Sequence, residues 1–79
     1  MFQKIIDLLN EVSSISVKNP KELESFRLKY LSKKGLISDL FEDFKNVAIS
    51  DKKEIGQKLN HLKQNALEKY NSLKAEMLS

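Results

Sequence analysis

A long heptad-like repeat in the last third of the chain most constrains the fold. Its members recur at steps of four, three, four, four, three and four residues: Ile55, Leu59, Leu62, Ala66, Tyr70, Leu73 and Met77. This spacing places them on one side of an α-helix and is typical of a helix that packs lengthwise against another helix. It predicts a helix over residues 51–77, about 40 Å long at 1.5 Å per residue. Such a helix needs partner helices, which the rest of the chain must supply.

Three shorter segments also have helical periodicity. Apolar side chains at three- and four-residue spacing predict helices over residues 2–14, 20–34 and 36–45. With only two glycines and one proline in 79 residues, little else interrupts the pattern. The sequence therefore predicts an all-α fold with four helices.

Capping residues indicate where these helices begin and end. Asn19 precedes a proline and lies three residues before Glu22, a capping-box arrangement with asparagine in place of Ser or Thr. Asp51 and Glu54 form a second capping pair at the start of the last helix. The sequence Lys33-Lys34-Gly35 is typical of a helix end, because cations favour the negative end of the helix dipole and glycine readily adopts a left-handed cap.

The lengths of the segments predict how they pack. Residues 20–34 and 36–45 together are about as long as residues 51–77, and a short turn joins them. The simplest arrangement is one domain, residues 1–79, built as an antiparallel helical hairpin with the first helix packed at its base. If the hairpin turns near residue 48, facing residues have numbers that sum to roughly 97 in such a coiled coil.

This register brings distant residues together. It places Lys34 near Lys63 and Arg27 near Tyr70, although the break at Gly35 can shift the pairing by a few residues. It also places Asn60 opposite the start of the third helix, where its side chain can hydrogen-bond to the chain near Gly35.

Composition excludes several classes of function. The chain has no cysteine, one histidine, no Walker loop and no GxGxxG motif, so we expect no catalytic site, no metal site and no small-molecule substrate. His61 lies outside the apolar seam and is typical of a solvated surface residue. No apolar run is long enough to cross a bilayer, and the lack of cysteine suits a reducing cytoplasm. A net charge of +3 permits contact with nucleic acid without requiring it.

A few residues stand out as candidates for function or for unusual packing. Lys33 and Lys34 have two interpretations, a helix end or a phosphate-binding pair. Arg27 is the only arginine, and its planar fork suits a fixed salt bridge or a phosphate contact, with a plain exposed residue as the equal alternative. Tyr30 falls in the apolar stripe of its helix, with a hydroxyl that can reach the edge. Gly56 is costly inside a helix, which predicts close approach by another helix.

The segment Phe26-Arg27-Leu28-Lys29-Tyr30-Leu31-Ser32-Lys33-Lys34-Gly35-Leu36-Ile37-Ser38-Asp39-Leu40 resembles a signature of a known family. Bacterial phenylalanyl-tRNA synthetase alpha subunits carry, near their N-terminus, a pattern of the form R-x-x-Y-L-G-K-K-G-x-[LI]-[ST]-x-L. The later Gly56-Gln57-Lys58-Leu59-Asn60-His61-Leu62-Lys63 is similar to that family's G-x-x-x-N-x-x-K element. The resemblance covers essentially all 79 residues. Ser32 departs from it by replacing a glycine, and residues 49–54 are more basic than the proline- and glutamate-rich stretch usual there.

The resemblance implies a projecting helical arm that contacts tRNA(Phe), in a cytoplasmic assembly with a beta subunit and a second alpha subunit. It implies that the class II catalytic core, which uses ATP and magnesium, lies further along the alpha subunit, so this segment by itself needs no cofactor and is not an enzyme. Its tRNA-binding residues would be Lys33, Lys34 and Lys63 at the centre, with Arg27, Lys29, Lys52 and Lys53 in support. Its structural residues would be Tyr30, Gly35, Gly56 and Asn60.

Two alternatives stay open on the sequence. The seam from Ile55 to Met77 could instead dock a partner helix or a second copy, which would make the chain a protein-interaction hairpin or an oligomerisation module unrelated to RNA. The chain could also be the arm of another synthetase, such as the seryl enzyme, although no comparable match to Lys33-Lys34-Gly35 is found there.

Overall fold

The computed structural model describes residues 2–78, and all of its regular structure is helical. The elements are α1 (Phe2–Ser14), α2 (Pro20–Phe26), a π-helical turn (Arg27–Leu31) that continues α2, α3 (Leu36–Phe44) and α4 (Ile49–Leu78). The predicted all-α fold is confirmed. No helix within the described residues is both long and apolar enough to cross a membrane.

The hairpin is formed by α2, the π turn and α3 on one side and α4 on the other. At one end the rings of Phe26 and Tyr70 stack with centroids 6.5 Å apart. Towards the other end, Phe44 lies against Gly56. Residue numbers thus rise along one arm as they fall along the other, so the pairing is antiparallel, as predicted. The Cα atoms extend over 45 × 19 × 16 Å, so the domain is a rod.

Helix α1 is the additional helix packed on this hairpin, and it runs parallel to α4. Near its start, the Lys58 ammonium lies 5.8 Å from the centroid of the Phe2 ring. Near its end, Lys69 donates a hydrogen bond to the carbonyl of Ser13 at 3.4 Å. Helix α1 therefore covers the middle of α4, from about residue 58 to residue 69.

The core follows the heptad seam of α4. Ile55, Leu59, Leu62, Ala66 and Leu73 are buried, while Tyr70 and Met77 are half-buried. The rest of this core comes from Ile5 and Val12 of α1, Ile37 and Leu40 of α3, and the aromatic rings of α2 and the π turn. Because the other helices of the same chain cover the seam, it is not left free for a partner.

The start of α2 has the cap that the sequence predicts. The side-chain oxygen of Asn19 accepts a hydrogen bond from the backbone N–H of Glu22 at 2.9 Å, and Pro20 opens the helix. The Glu22 carboxylate reaches one residue further back than in a standard capping box. It accepts from the N–H of Lys18 at 2.9 Å, which ties the α1–α2 linker to the cap.

Replacing Asn19 by alanine is expected to destabilise the domain by about 1 kcal/mol, because the Glu22 N–H loses its partner. Urea unfolding followed by circular dichroism measures this loss. The matched control is Asn71→Ala on the exposed surface of α4, where alanine is the better helix former and stability should not fall. Equal destabilisation by the two substitutions would contradict a capping role for Asn19.

Two predicted helix boundaries are wrong, and so are the predicted caps at Gly35 and Asp51. The second helix ends at Leu31 rather than residue 34, because Ser32 is extended and its hydroxyl donates to the Leu28 carbonyl at 2.6 Å. Gly35 is not a left-handed cap, since its φ of −77° and ψ of 172° are extended. The last helix begins at Ile49, because the Ala48 carbonyl already accepts from the N–H groups of Asp51 and Lys52, so Asp51 lies in the first turn and is not the cap.

Candidate nucleic-acid interface

The basic break is a short connection, residues 32–35, pinned at both ends. The N–H of Gly35 donates to the carbonyl of Ser32 at 2.9 Å, and the hydroxyl of Ser38 donates to the same carbonyl at 2.9 Å. Lys33 and Lys34 between these anchors are exposed. The backbone of the break is therefore fixed, while both ammonium groups project into solvent.

Glycine is favoured at position 35 by the lack of space for a side chain rather than by its backbone angles. A Cβ atom there would lie 3.0 Å from the Lys29 carbonyl oxygen, 3.0 Å from the Tyr30 carbonyl carbon and 3.1 Å from the Ser32 carbonyl oxygen. All three are backbone atoms, which cannot move aside as a flexible side chain can. The break thus packs directly onto the π turn, which holds Lys33 in a defined position.

The π turn orients Tyr30 into the core. Its side chain is 1% exposed, and its ring centroid lies 5.1 Å from that of Phe26. The hydroxyl donates to the Glu11 carboxylate at 3.3 Å, and burial raises the pKa of Tyr30, which keeps this proton in place. Helix α1 is thereby linked to the segment that leads into the basic break.

Lys33 and Lys63 line the same small groove, about 190 Å³ in volume, although thirty positions separate them in sequence. The Lys63 ammonium lies 5.9 Å from the centroid of the Phe41 ring, and Phe41 and Ser38 also line the groove. The hairpin register placed Lys34 opposite Lys63, but Lys33 shares the groove instead, because the break displaces the chain. Lys34 is exposed outside it.

Lys52 and Lys63 lie on one side of α4. They are eleven residues apart in sequence, close to three helical turns, which separates them by about 16 Å along the helix. The Lys52 ammonium lies 5.8 Å from the centroid of the Phe44 ring, as Lys63 lies over Phe41. Lys58 and Lys69, which contact α1, project from another side of α4. We call the α1-free side that carries Lys33, Lys52 and Lys63 the basic face.

Arg27 is occupied by an ion pair. Its Nε donates to both carboxylate oxygens of Glu24, at 3.1 and 3.2 Å, and its Nη2 contacts Glu24 Oε1 as well. This hydrogen bonding lowers the pKa of Glu24 and raises the pKa of Arg27. Of the interpretations that the sequence left open for Arg27, the geometry shows the salt bridge.

The remaining predicted lysines are dispersed. Lys29 lies 5.2 Å from the centroid of the Tyr30 ring and lines a different groove, beside the α1–α2 linker. Lys53 is exposed in the first turn of α4. The structure therefore brings together Lys33 and Lys63, aligns Lys52 with them, and leaves Lys29, Lys34 and Lys53 as separate exposed cations.

Gly56 and Asn60 differ in what the structure shows. A Cβ at Gly56 would lie 3.2 Å from Phe44 Cζ, so another helix does approach closely at this glycine. Asn60 is exposed, and the hydrogen bond expected from it to the Gly35 region does not occur among residues 2–78. The hydroxyl of Ser38 takes that place, because it lies on α3 directly beside the break.

Sequence reasoning missed Phe41, Phe44 and Glu11 as neighbours of the basic residues. The periodic spacing of Phe41 and Phe44 is typical of core residues, yet each ring also contacts a lysine ammonium across the hairpin. Phe44 lies eight residues before Lys52 and Phe41 twenty-two before Lys63, and these separations indicate a contact only once the register of the hairpin is known. Within residues 2–78, no group of three or more potential ligands could hold a metal ion, and His61 is exposed.

Comparison with known proteins identifies the family. Residues 18–79 match the family model described as aminoacyl tRNA synthetase class II, N-terminal domain. The phenylalanine–tRNA ligase alpha subunit of Bacteroides fragilis is 55% identical over 76 residues, which are 96% of this chain and 22% of that protein. The alpha subunits of Bacteroides thetaiotaomicron and Flavobacterium psychrophilum are 52% and 43% identical over 79 residues, which are 100% of this chain and 23% of each protein.

The chain thus spans less than a quarter of the length of these relatives. No solved structure matches it. The family model covers the segment that contains the π turn, the basic break and both arms of the hairpin. The chain belongs to the family of N-terminal domains of class II aminoacyl-tRNA synthetases and, within it, is the N-terminal domain of a phenylalanine–tRNA ligase alpha subunit.

Proposed function

We propose that this domain is a tRNA-contacting arm, which holds tRNA(Phe) for aminoacylation by the catalytic part of a phenylalanine–tRNA ligase. The observation that carries the proposal is the juxtaposition of Lys33 and Lys63 on the basic face. Two distant segments supply these cations, and an extended rod places them beside Lys52 on a side that no other helix covers.

The chemistry of the basic face favours the RNA backbone over the bases. Lysine ammonium groups are point charges suited to phosphate oxygens. A-form RNA presents its shape, its phosphates and its 2′-hydroxyls more readily than its base edges. Binding by this domain alone is therefore weak, shows little dependence on base sequence and falls steeply with salt.

The rest of the proposed assembly follows from the family. The relatives are named as alpha subunits of a ligase, and we propose that the domain works in the cytoplasm beside a beta subunit and a second alpha subunit. ATP, magnesium and phenylalanine bind in the catalytic part of the enzyme. The residues of this arm contribute to binding and orientation of tRNA and take no part in the bond-forming steps.

The competing interpretation is a hairpin that docks a partner through the α4 seam. The seam offers little exposed surface for such a partner. Leu59 and Leu62 are fully buried by helices of the same chain, and Ala66 is too. A partner could reach this seam only by displacing α1 or the other arm of the hairpin.

Charge reversal tests the proposal. Lys33→Glu combined with Lys63→Glu is expected to weaken binding of tRNA(Phe) about tenfold or more, since two phosphate contacts are replaced by repulsion. It should also reduce the slope of log K against log salt by about 2 × 0.7 to 2 × 0.9. Fluorescence anisotropy with labelled tRNA at about 50 mM and about 200 mM salt measures both quantities.

The matched control is Lys4→Glu combined with Lys21→Glu. It makes the same change in net charge at exposed positions on α1 and at the start of α2, outside the basic face. We expect it to weaken binding only through long-range electrostatics, by a much smaller factor. Equal loss in both double variants, or binding that does not respond to salt, would contradict the proposed interface.

A further inference from the structure

A groove between α1 and α3 carries mainly acidic side chains, in contrast to the basic face. Its volume is about 580 Å³. Leu8 and Leu40 form its apolar base together with Leu36, whose side chain is 37% exposed although it is a large hydrophobic residue. An exposed apolar floor of this kind is typical of a surface that another chain covers.

Carboxylates line both walls of this groove. Five acidic residues and one lysine surround the apolar floor: Asp7, Glu11, Asp39, Glu42, Asp43 and Lys4. The whole chain carries a net charge of +3, so this local excess of negative charge reflects a separation of charge between two sides of the domain. A phosphate backbone is repelled here, which excludes the groove from the RNA-binding surface.

Two of these carboxylates are uncommitted. Glu11 accepts the Tyr30 hydroxyl proton, and Glu42 pairs with Lys45 at 3.2 Å. Asp39 and Asp43 form no ion pair within residues 2–78 and are exposed, one helical turn apart on α3. The acidic residues are also too dispersed to hold a metal ion, since no group of three or more potential ligands occurs in the described residues. An extended cation suits this arrangement better than a point charge.

We infer that the groove between α1 and α3 docks a cationic amphipathic helix of a protein partner. Apolar side chains along one face of that helix would cover Leu8, Leu36 and Leu40, and flanking lysines or arginines would pair with Asp39, Asp43 and Asp7. Laying an apolar helix face into a groove is a recurrent mode of recognition, and complementary charge sets its orientation. The inference rests on the groove and does not depend on the proposed RNA contact.

A designed peptide tests this inference on the full 79-residue chain. The probe is a fluorescein-labelled amphipathic peptide of about four helical turns, with leucines on one face and lysines and arginines on the other. The control peptide has the same amino-acid composition, but its residues are reordered so that no apolar face forms. We expect the amphipathic peptide to bind and the reordered peptide to bind at least about tenfold more weakly, as expected when the apolar contact is lost.

Matched variants locate the binding. Asp39→Asn combined with Asp43→Asn should raise the Kd of the amphipathic peptide about five- to tenfold, from two lost charge pairs. Leu36→Lys should raise it further by adding repulsion to the floor. Glu54→Gln combined with Glu68→Gln, two exposed acids of α4 outside the groove, removes the same charge and should change the Kd less than about twofold. Circular dichroism checks that each variant is folded.

Several results would overturn the inference. Equal binding of the two peptides, or equal loss in the two neutralised pairs, would show non-specific attraction. Competition between tRNA and the peptide for one site would place the peptide on the basic face. Self-association of the unliganded chain that Asp39→Asn with Asp43→Asn abolishes, seen by light scattering, would make a second copy the occupant instead of a cationic partner.

Discussion

Replacing Leu59 by alanine is expected to destabilise the domain by about 2–5 kcal/mol. Leu59 is fully buried at the centre of the α4 seam, in the stretch that α1 covers. Truncation removes apolar contacts and leaves a cavity that neighbouring helices fill only in part. Since a core of this size supplies about 3–5 kcal/mol in total, a large fraction of the variant should be unfolded.

Urea unfolding followed by circular dichroism measures the loss, with Leu67→Ala as the control. Leu67 is on the same helix, two turns from Leu59, but 42% of its side chain is exposed, so the same truncation should cost less than about 1.5 kcal/mol. Because the helix propensity changes identically in both variants, their difference reports burial alone. A difference below about 1 kcal/mol would show that Leu59 does not occupy the core position described.

Replacing Gly35 by alanine is expected to destabilise the domain by about 1–3 kcal/mol. The φ and ψ angles of Gly35 are accessible to alanine, so the cost is purely steric. The new methyl group would meet backbone atoms of Lys29, Tyr30 and Ser32 at 3.0 to 3.1 Å. Relief requires the break to move away from the π turn, which would also displace Lys33 from Lys63.

The same substitution at Gly56 is the control, and its effect should be small or favourable. There the added methyl group meets only the Phe44 ring, at 3.2 Å, and a side chain can shift where backbone cannot. Alanine also gains about 1 kcal/mol over glycine inside a helix. Thermal unfolding of both variants decides the matter, since destabilisation of Gly56→Ala as large as that of Gly35→Ala would contradict the steric argument.

The long-range order of the fold was predictable because one seam dominates the sequence. The repeat from Ile55 to Met77 requires partner helices, and the similar lengths of the two arms make an antiparallel hairpin the simplest arrangement. The Asn19 cap was also predictable, because its hydrogen bond joins residues three apart in sequence. Interactions that local spacing encodes, or that one long periodic segment imposes, can be inferred without coordinates.

The π turn was not predictable from periodicity. Phe26 and Tyr30 are spaced as in an ordinary α-helix, whereas the hydrogen bond from Tyr30 to Glu11 that accompanies the π turn joins residues nineteen apart in sequence. The reason for a glycine at position 35 was also predicted wrongly, because it depends on how the chain packs and not on local spacing. A glycine after two lysines is typical of a left-handed cap, whereas here the close approach of backbone atoms from the preceding turn demands the missing side chain.

The candidate site was predictable only as precisely as the pairing of residues across the hairpin, which was off by one residue. Counting across the hairpin brought lysines together beside Gly35, and it missed by one residue which lysine shares the groove with Lys63. The acidic groove escaped sequence reasoning altogether, because Asp7 and Asp43 become neighbours only through the placement of α1. Acids that look like solubilising residues along each helix separately form one surface when the helices pack.

The partial coverage of α4 by α1 gives the rod a graded stiffness. Between about residues 58 and 69 of α4 the rod is three helices thick, and towards both ends it thins to two. Thinner ends bury fewer side chains, so they open and bend at lower free energy than the middle. Lys63 and its neighbour Lys33 lie on the stiff shaft, while Lys52 lies on the compliant tip. For the proposed RNA contact, this means that Lys33 and Lys63 are held in fixed positions, whereas Lys52 can shift to fit the shape of the ligand.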